Sequence, residues 1–164
     1  MMLLIKYRKI FKRGTDKMIQ LIDIQEQQIA ARIQEIQLAS YQIEAELIDF
    51  TDLPPLRETI QDLIACGEIF YSYVDEGTIV GAISYTIEAD QLQICRMMVH
   101  PAYFRRGIAD QLLAHLMDKY PEIMKIVTTG ALNAPAIRLY QKHGFKLVRE
   151  IEVEPGLSLA WLEA

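Results

Sequence analysis

Apolar positions along this chain recur in two rhythms, one every second residue and one every third to fourth, and the switches between them mark its elements. Met18-Ile19-Gln20-Leu21-Ile22 predicts a first strand over Met18 to Asp23. Ile29, Ile33 and Ile36 then fall at helical spacing and predict a helix. From Ser40 to Asp52 the pattern fits two states, since Tyr41, Ile43, Glu44, Glu46 and Leu47 suit an extended piece or more helix. Leu53-Pro54-Pro55 closes that segment and opens a second helix, because proline is tolerated in a first turn. Leu56, Ile60, Leu63 and Ile64 line its apolar face, and Gly67 stands as its C-terminal cap.

Alternation returns over Ile69 to Val74 and Thr78 to Ile87, with Asp75-Glu76-Gly77 between them as a hairpin loop. Ala89-Asp90 turns the chain into a strand that runs from Gln93 to Val99. A helix is predicted from Gly107 to Tyr120, broken by Pro121, and Lys125 to Thr129 reads as a short buried strand. The helix Ala134 to His143 is stopped by Gly144, and Phe145 to Val153 pairs with Leu157 to Leu162 around Pro155-Gly156. The order β-α-α-β-β-β-α-β-α-β-β is that of a mixed α/β domain without repeats or linkers.

At 164 residues and 51% hydrophobic content the chain suits one domain with a single sizeable core. No segment approaches a membrane-spanning apolar run, so no membrane partner is expected. Charge is uneven. Lys6, Arg8, Lys9, Lys12, Arg13 and Lys17 face only Asp16 in residues 1–17, leaving the rest more acidic than the whole-chain balance of −5. That run lacks the features of a secretory signal. It reads as a basic extension of the kind an upstream start codon adds, ahead of a domain over residues 18–164. The acidic body shows no aromatic-basic interleaving, so no nucleic-acid partner is expected. Cys66 and Cys95 lack metal-ligand spacing and read as free thiols of a reducing cytoplasm. His100, His115 and His143 make no metal or triad pattern.

Two stretches carry chemistry. Between the strand ending at Val99 and the helix opening at Gly107 lie Pro101, Phe104, Arg105, Arg106, Gly107, Ile108, Ala109 and Asp110. Unpaired N–H groups at a helix start, its positive dipole end and a glycine admitting close approach build an anion site, and the two arginines add forked donors. The second stretch is Asn133-Ala134-Pro135-Ala136-Ile137-Arg138-Leu139-Tyr140-Gln141-Lys142-His143-Gly144-Phe145. Asn133 is a favoured N-cap with Pro135 in the first turn, and Ala136, Leu139, Tyr140 and His143 share one helix face.

Together these stretches resemble the GCN5-related N-acetyltransferases. Residues 104–109 match the family's loop Gln/Arg-x-x-Gly-x-Gly/Ala at Gly107 and Ala109, with Phe104 departing at the first position. Residues 133–145 match Asn-x-x-Ala-x-x-Leu-Tyr-x-x-x-Gly-Phe at every named position. The resemblance implies a central, mostly antiparallel sheet with flanking helices, its fourth and fifth strands parallel and splayed at the cofactor site. It implies acetyl transfer from acetyl-CoA to a primary amine by direct attack in a ternary complex, with no metal. Met98 or Val99 would polarise the thioester carbonyl through a backbone N–H. Phe104, Arg105, Arg106, Gly107, Ile108, Ala109 and Asp110 would hold the pyrophosphate, Asn133 would contact coenzyme A, and Tyr140 would protonate the departing thiolate. Homodimers are common in the family.

The general base is left open. Some members place a glutamate where this chain has Gln93. Glu44 and Glu46 lie in the segment that shapes the acceptor pocket of related enzymes and are candidates to bind a cationic amine or to accept its proton through water. Arg96, if it faces the pocket, favours a carboxylate-bearing acceptor. The rival reading, kept open by Gln93 and Phe104, is a catalytically weak acyl-CoA sensor or interaction module. No phosphate-loop lysine motif or dinucleotide glycine fingerprint is present.

Overall fold

The computed structural model describes residues 18–164, so the expectation for the basic run 1–17 falls outside the described residues. In chain order they form β1 (Met18–Ile22), α1 (Gln27–Leu47), α2 (Ile60–Ala65), β2 (Ile69–Asp75), β3 (Thr78–Glu88) and β4 (Gln91–Val99). Then come α3 (Ile108–Lys119), β5 (Met124–Gly130), α4 (Ala134–Lys142), β6 (Lys146–Glu154) and β7 (Leu157–Glu163). The strands make one seven-stranded sheet in the order β1-β2-β3-β4-β5-β7-β6. Every neighbouring pair is antiparallel except β4 and β5. This is the mixed α/β architecture expected.

Most boundaries fall within two residues of the sequence reading, and two features differ by more. The ambiguous segment is helical: α1 continues to Leu47, because Ile33, Ile36, Gln37 and Ala45 keep one face buried at helical spacing. The second helix begins later than Pro54. Pro54–Leu56 makes a single tight turn, and α2 starts only where Thr59 and Asp62 form a capping box, each side chain accepting the other's backbone N–H.

Each face of the sheet carries its own core. Ile29, Ile33, Ile36 and Leu63 of α1 and α2 pack on Phe70, Ala82 and Met98. On the opposite face Ile108, Leu112, Leu113 and Leu116 of α3, with Tyr140 and Phe145, pack on Ile83, Tyr85, Leu92 and Val99. Gly81 on β3 permits close packing there, since a Cβ would lie 3.1 Å from both the Ile108 side chain and the Met98 carbonyl. The first turn of α3 therefore rests directly on the sheet.

One irregularity organises the centre. Ser84 pairs with Arg96 and Tyr85 with Ile94, so Cys95 is an extra, bulged residue on β4. The bulge inverts the alternation. Leu92 and Ile94 before it face the α3 core, whereas Arg96 and Met98 after it face α1.

Candidate active site

The bulge coincides with the point where β4 and β5 part. Their parallel ladder runs from Gln91 with Met124 to Ile94 with Val127 and then stops. Beyond it lies a cavity of about 100 Å³ lined by both strands and by residues of α1 and α4. Tyr41 and Glu44 of α1 close one side, Asn133 and Tyr140 the other, with Arg96, Met97 and Thr128 on the strand walls.

Backbone alternation assigns the groups that face this gap. The His100 N–H donates to Val80 O at 2.8 Å, and the Met98 carbonyl lies over Gly81, so residues 98 and 100 direct their backbone groups to β3. The alternate residues, Met97 and Val99, therefore turn theirs toward β5 and the gap. Of the two residues named for a backbone donor, Val99 turns its N–H to the gap, whereas Met98 turns its N–H to β3 and packs its side chain in the α1 core.

The anion loop is built from backbone handedness. His100 Nδ1 accepts from the Ala102 N–H at 3.2 Å and sets the Pro101–Tyr103 turn. Arg105 (φ 63°) and Gly107 (φ 73°) are both left-handed, on either side of Arg106. Alternation of backbone hand turns successive N–H groups toward one side, the shape that an anion site requires, and here it immediately precedes α3. The arginines are exposed, and so is Phe104 at 40%, while Ile108 is buried beneath the loop and Ala109 is half-buried. Arg106 lies over the Tyr103 ring at 4.9 Å with Asp75 3.8 Å away. The Asp110 carboxylate turns from the loop and accepts from Lys142 and His143.

On α4, the Asn133 side chain caps the helix by accepting from the Ala136 N–H at 3.2 Å and is itself buried. Tyr140 is buried against Phe145, their rings edge to face at 5.4 Å. Burial, and then the charge of Glu44, pushes the Tyr140 phenol above its ordinary value. Burial also raises the Glu44 carboxyl, against smaller opposing effects of hydrogen bonds from the Asn133 side chain and Gly130 backbone. Gly130 makes that approach possible, because a Cβ there would meet Ile48, just past α1, at 3.1 Å. Glu46 does not join the site. It is exposed on the outer side of α1, with its Oε1 3.5 Å from Gln42 Nε2.

Arg96 is buried, at 8% exposure, but its guanidinium is already spoken for. Nε and Nη2 donate to Glu68 at 2.8 Å each, Nη1 to Gln37 at 2.9 Å, and both Nη1 and Nη2 to Glu58. A carboxylate-bearing acceptor thus finds no free guanidinium there, contrary to the condition drawn from the sequence. Gln93 is exposed on β4, before the bulge. Sequence reasoning missed Gln37, Tyr41, Glu58 and Glu68. The available signal was Gln37, Tyr41 and Glu44 falling at i, i+4 and i+7 on α1. A larger cavity of about 1010 Å³ lies near β1, lined by Leu21, Ile22, Ile29 and Ile69, and includes none of the predicted site residues.

Among the described residues no helix is long and apolar enough to cross a membrane. A sequence model of the acetyltransferase (GNAT) family matches residues 30–145. The UPF0157 protein YqkA of Bacillus subtilis (strain 168) is 37% identical over 144 residues, which cover 87% of this chain and 42% of that protein. The chain thus spans less than half the length of this curated relative. The ribosomal-protein-S18-alanine N-acetyltransferase of Escherichia coli superposes with a TM-score of 0.72 at 16% identity, over 90% of this chain and 92% of that one. The yncA structure from Salmonella typhimurium with its cofactor acetyl-CoA gives 0.68 at 18% identity, over 91% and 93%. The PaiA N-acetyltransferase of Thermoplasma acidophilum in complex with coenzyme A gives 0.70 at 17%, over 89% and 98%. At these identities the three structures establish a shared fold.

Proposed function

Because the chain belongs to the acetyltransferase (GNAT) family, we propose that it moves an acetyl group from acetyl-CoA to a primary amine by direct attack in a ternary complex. The observation that carries this reading is the meeting of Glu44, Asn133 and Tyr140 at the gap where β4 and β5 part. A neutral amine held there attacks the thioester carbonyl carbon, forming the C–N bond, while the Val99 N–H bonds the carbonyl oxygen as negative charge develops. The nitrogen gives up its proton to the Glu44 carboxylate. As the C–S bond breaks, the sulfur takes the Tyr140 phenolic proton, and the proton on Glu44 returns to the phenolate through solvent. Products are the amide and free coenzyme A, with no net proton change beyond the neutral amine consumed.

Each group has a property suited to its role. Burial keeps the Tyr140 phenol protonated across the neutral range, so it serves as an acid. Burial also raises Glu44 from the ordinary carboxylate range, which makes it a better base. The alternating loop before α3, with Arg105 and Arg106 beside it, would take the pyrophosphate. The backbone of Met97 and Val99 would pair with the pantetheine arm as an added strand. Free thiols at Cys66 and Cys95 suit a cytoplasmic setting.

The test is release of free thiol from acetyl-CoA across a panel of amines, alongside calorimetric titration with coenzyme A. Acetylation of any member above the amine-free rate supports the reading. Coenzyme A binding without acetyl transfer would favour the sensor reading, to which Phe104 at the loop's first position lends its weight.

A further inference from the structure

Arg96 joins four separate pieces of chain at one guanidinium. Gln37 comes from α1, Glu58 from the turn before α2, Glu68 from the stretch after α2, and Arg96 itself from β4 just past the bulge. The partners are bonded among themselves too: Gln37 Nε2 donates to Glu58 at 2.6 Å and to Pro55 O at 2.9 Å, and Ser84 Oγ donates to Glu68 at 2.6 Å. A guanidinium satisfied on both forks in a buried setting fixes geometry more tightly than a point charge does. One turn beyond Gln37 on the same face of α1 stands Tyr41, and beyond it Glu44, both on the cavity wall.

Resting on the transferase reading above, we propose that Arg96 is a positioning residue for the acceptor side of the site. It pins the 55–58 turn and α1 against the bulged half of β4, setting how Tyr41 and Glu44 face the gap. The anion loop follows the same, C-terminal end of β4, whereas the bonds of the Arg96 network run to α1 and to the segments on either side of α2. Arg96 therefore acts through Tyr41 and Glu44 on acceptor use, and the dissociation constant for coenzyme A is the control.

Removing Arg96 by itself leaves two partly buried carboxylates without their cation, a costly change that threatens folding. The test thus pairs Arg96→Met with the triple variant Arg96→Met/Glu58→Gln/Glu68→Gln, which carries no such charge. Three readouts are taken on each folded variant, with Glu58→Gln alone as the reference for the triple variant's proteolysis: the dissociation constant for coenzyme A, the rate of tryptic cleavage after Arg57 followed by mass spectrometry, and steady-state kinetics. The acceptors are spermidine, lysine methyl ester and a short peptide with a free N-terminus.

The expected result is a coenzyme A dissociation constant within twofold of wild type and cleavage after Arg57 at least tenfold faster than in the matching reference. The KM of the best acceptor should rise tenfold or more, with kcat changed less. Cleavage at the reference rate and a wild-type acceptor KM in the triple variant would overturn the proposal, as would a loss of coenzyme A affinity equal to the change in KM. If wild type binds coenzyme A yet acetylates none of the three amines, the transferase reading falls for these acceptors. The cleavage rate alone then decides whether Arg96 pins the turn.

Discussion

Asp110 in the first turn of α3 and His143 at the end of α4 meet through a 2.9 Å contact between carboxylate and imidazole Nε2. Lys142 Nζ reaches the same oxygen at 2.8 Å. The helix that opens at the anion loop is thereby tied to the helix that carries Tyr140. Hydrogen bonds from Lys142, and then from His143, hold the Asp110 carboxyl below its ordinary value. A depressed carboxyl stabilises the fold above its unfolded value, near 3.8, and that contribution fades as pH falls toward the lowered one. Asp110→Asn should cost no more than about 1 kcal/mol at pH 7, because the partly exposed pair is screened by solvent. A melting temperature lower by about 2–4 °C at pH 7, with the gap closing below pH 4, is the expected scan; a gap that stays constant with pH would refute the assignment.

Tyr140→Phe removes the proposed acid without disturbing its packing on Phe145. Turnover should fall by about a hundredfold or more, with coenzyme A affinity within twofold. Since the phenol is raised by burial and by Glu44, the wild-type rate should show no alkaline loss below pH 10. An unchanged turnover in the variant sinks the role.

Glu44→Gln separates catalysis from stability. As base, Glu44 acts when ionised, so the wild-type rate should climb with pH through a value above the ordinary 4.5, and the variant should lose that climb along with most of its activity. In the fold the raised carboxyl does the reverse. Its contribution is full below the ordinary value and is lost as pH rises through the folded one. The variant should therefore melt higher than wild type at pH 7, by about 1–3 °C, and match it near pH 4. A lower melting temperature at pH 7 would contradict the burial described.

Phe104→Gln tests the departing loop position. If backbone and arginines carry the pyrophosphate, coenzyme A binding by calorimetry should tighten less than about fivefold, roughly 1 kcal/mol. A gain of thirtyfold or more would mark the native loop as weakened and favour the sensor reading.

Gly107→Ala places a Cβ on a left-handed residue at the helix start, where φ is 73°. The strain should cost about 1–2 kcal/mol of stability and loosen coenzyme A. A variant with wild-type melting and affinity would show that the loop does not depend on this handedness.

Features requiring only local backbone chemistry could be read from sequence. Gly107 and Gly144 stand where left-handed backbone is needed, and Asn133 stands where a helix needs a cap, so the two motif stretches and their elements were legible. What depends on long-range register was not. The side on which Arg96 falls follows from an unpaired Cys95, and nothing in the alternation of Gln93 to Val99 announces a bulge. Val99 could be separated from Met98 only once His100 was seen bonded to Val80. Glu44 and Glu46 were equivalent while Ser40 to Asp52 fitted two states; the helix turned one into the cavity and the other out to solvent. Glu58 and Glu68 flank a short helix that packing brings over β4, and no short-range pattern links them to Arg96.

The four-rung ladder between β4 and β5 has a mechanical meaning. Among the described residues it is the only strand-to-strand seam joining the half-sheet of β1 to β4 with that of β5, β7 and β6. Past Ile94 and Val127 the sheet has an open edge in its own middle, running along Met97 and Val99. A small molecule lying in that slot would act as a splint across two blades, and the stiffness of the whole domain would then follow its occupancy. Amide exchange at Met97 and Val99 would serve as the gauge of that stiffness.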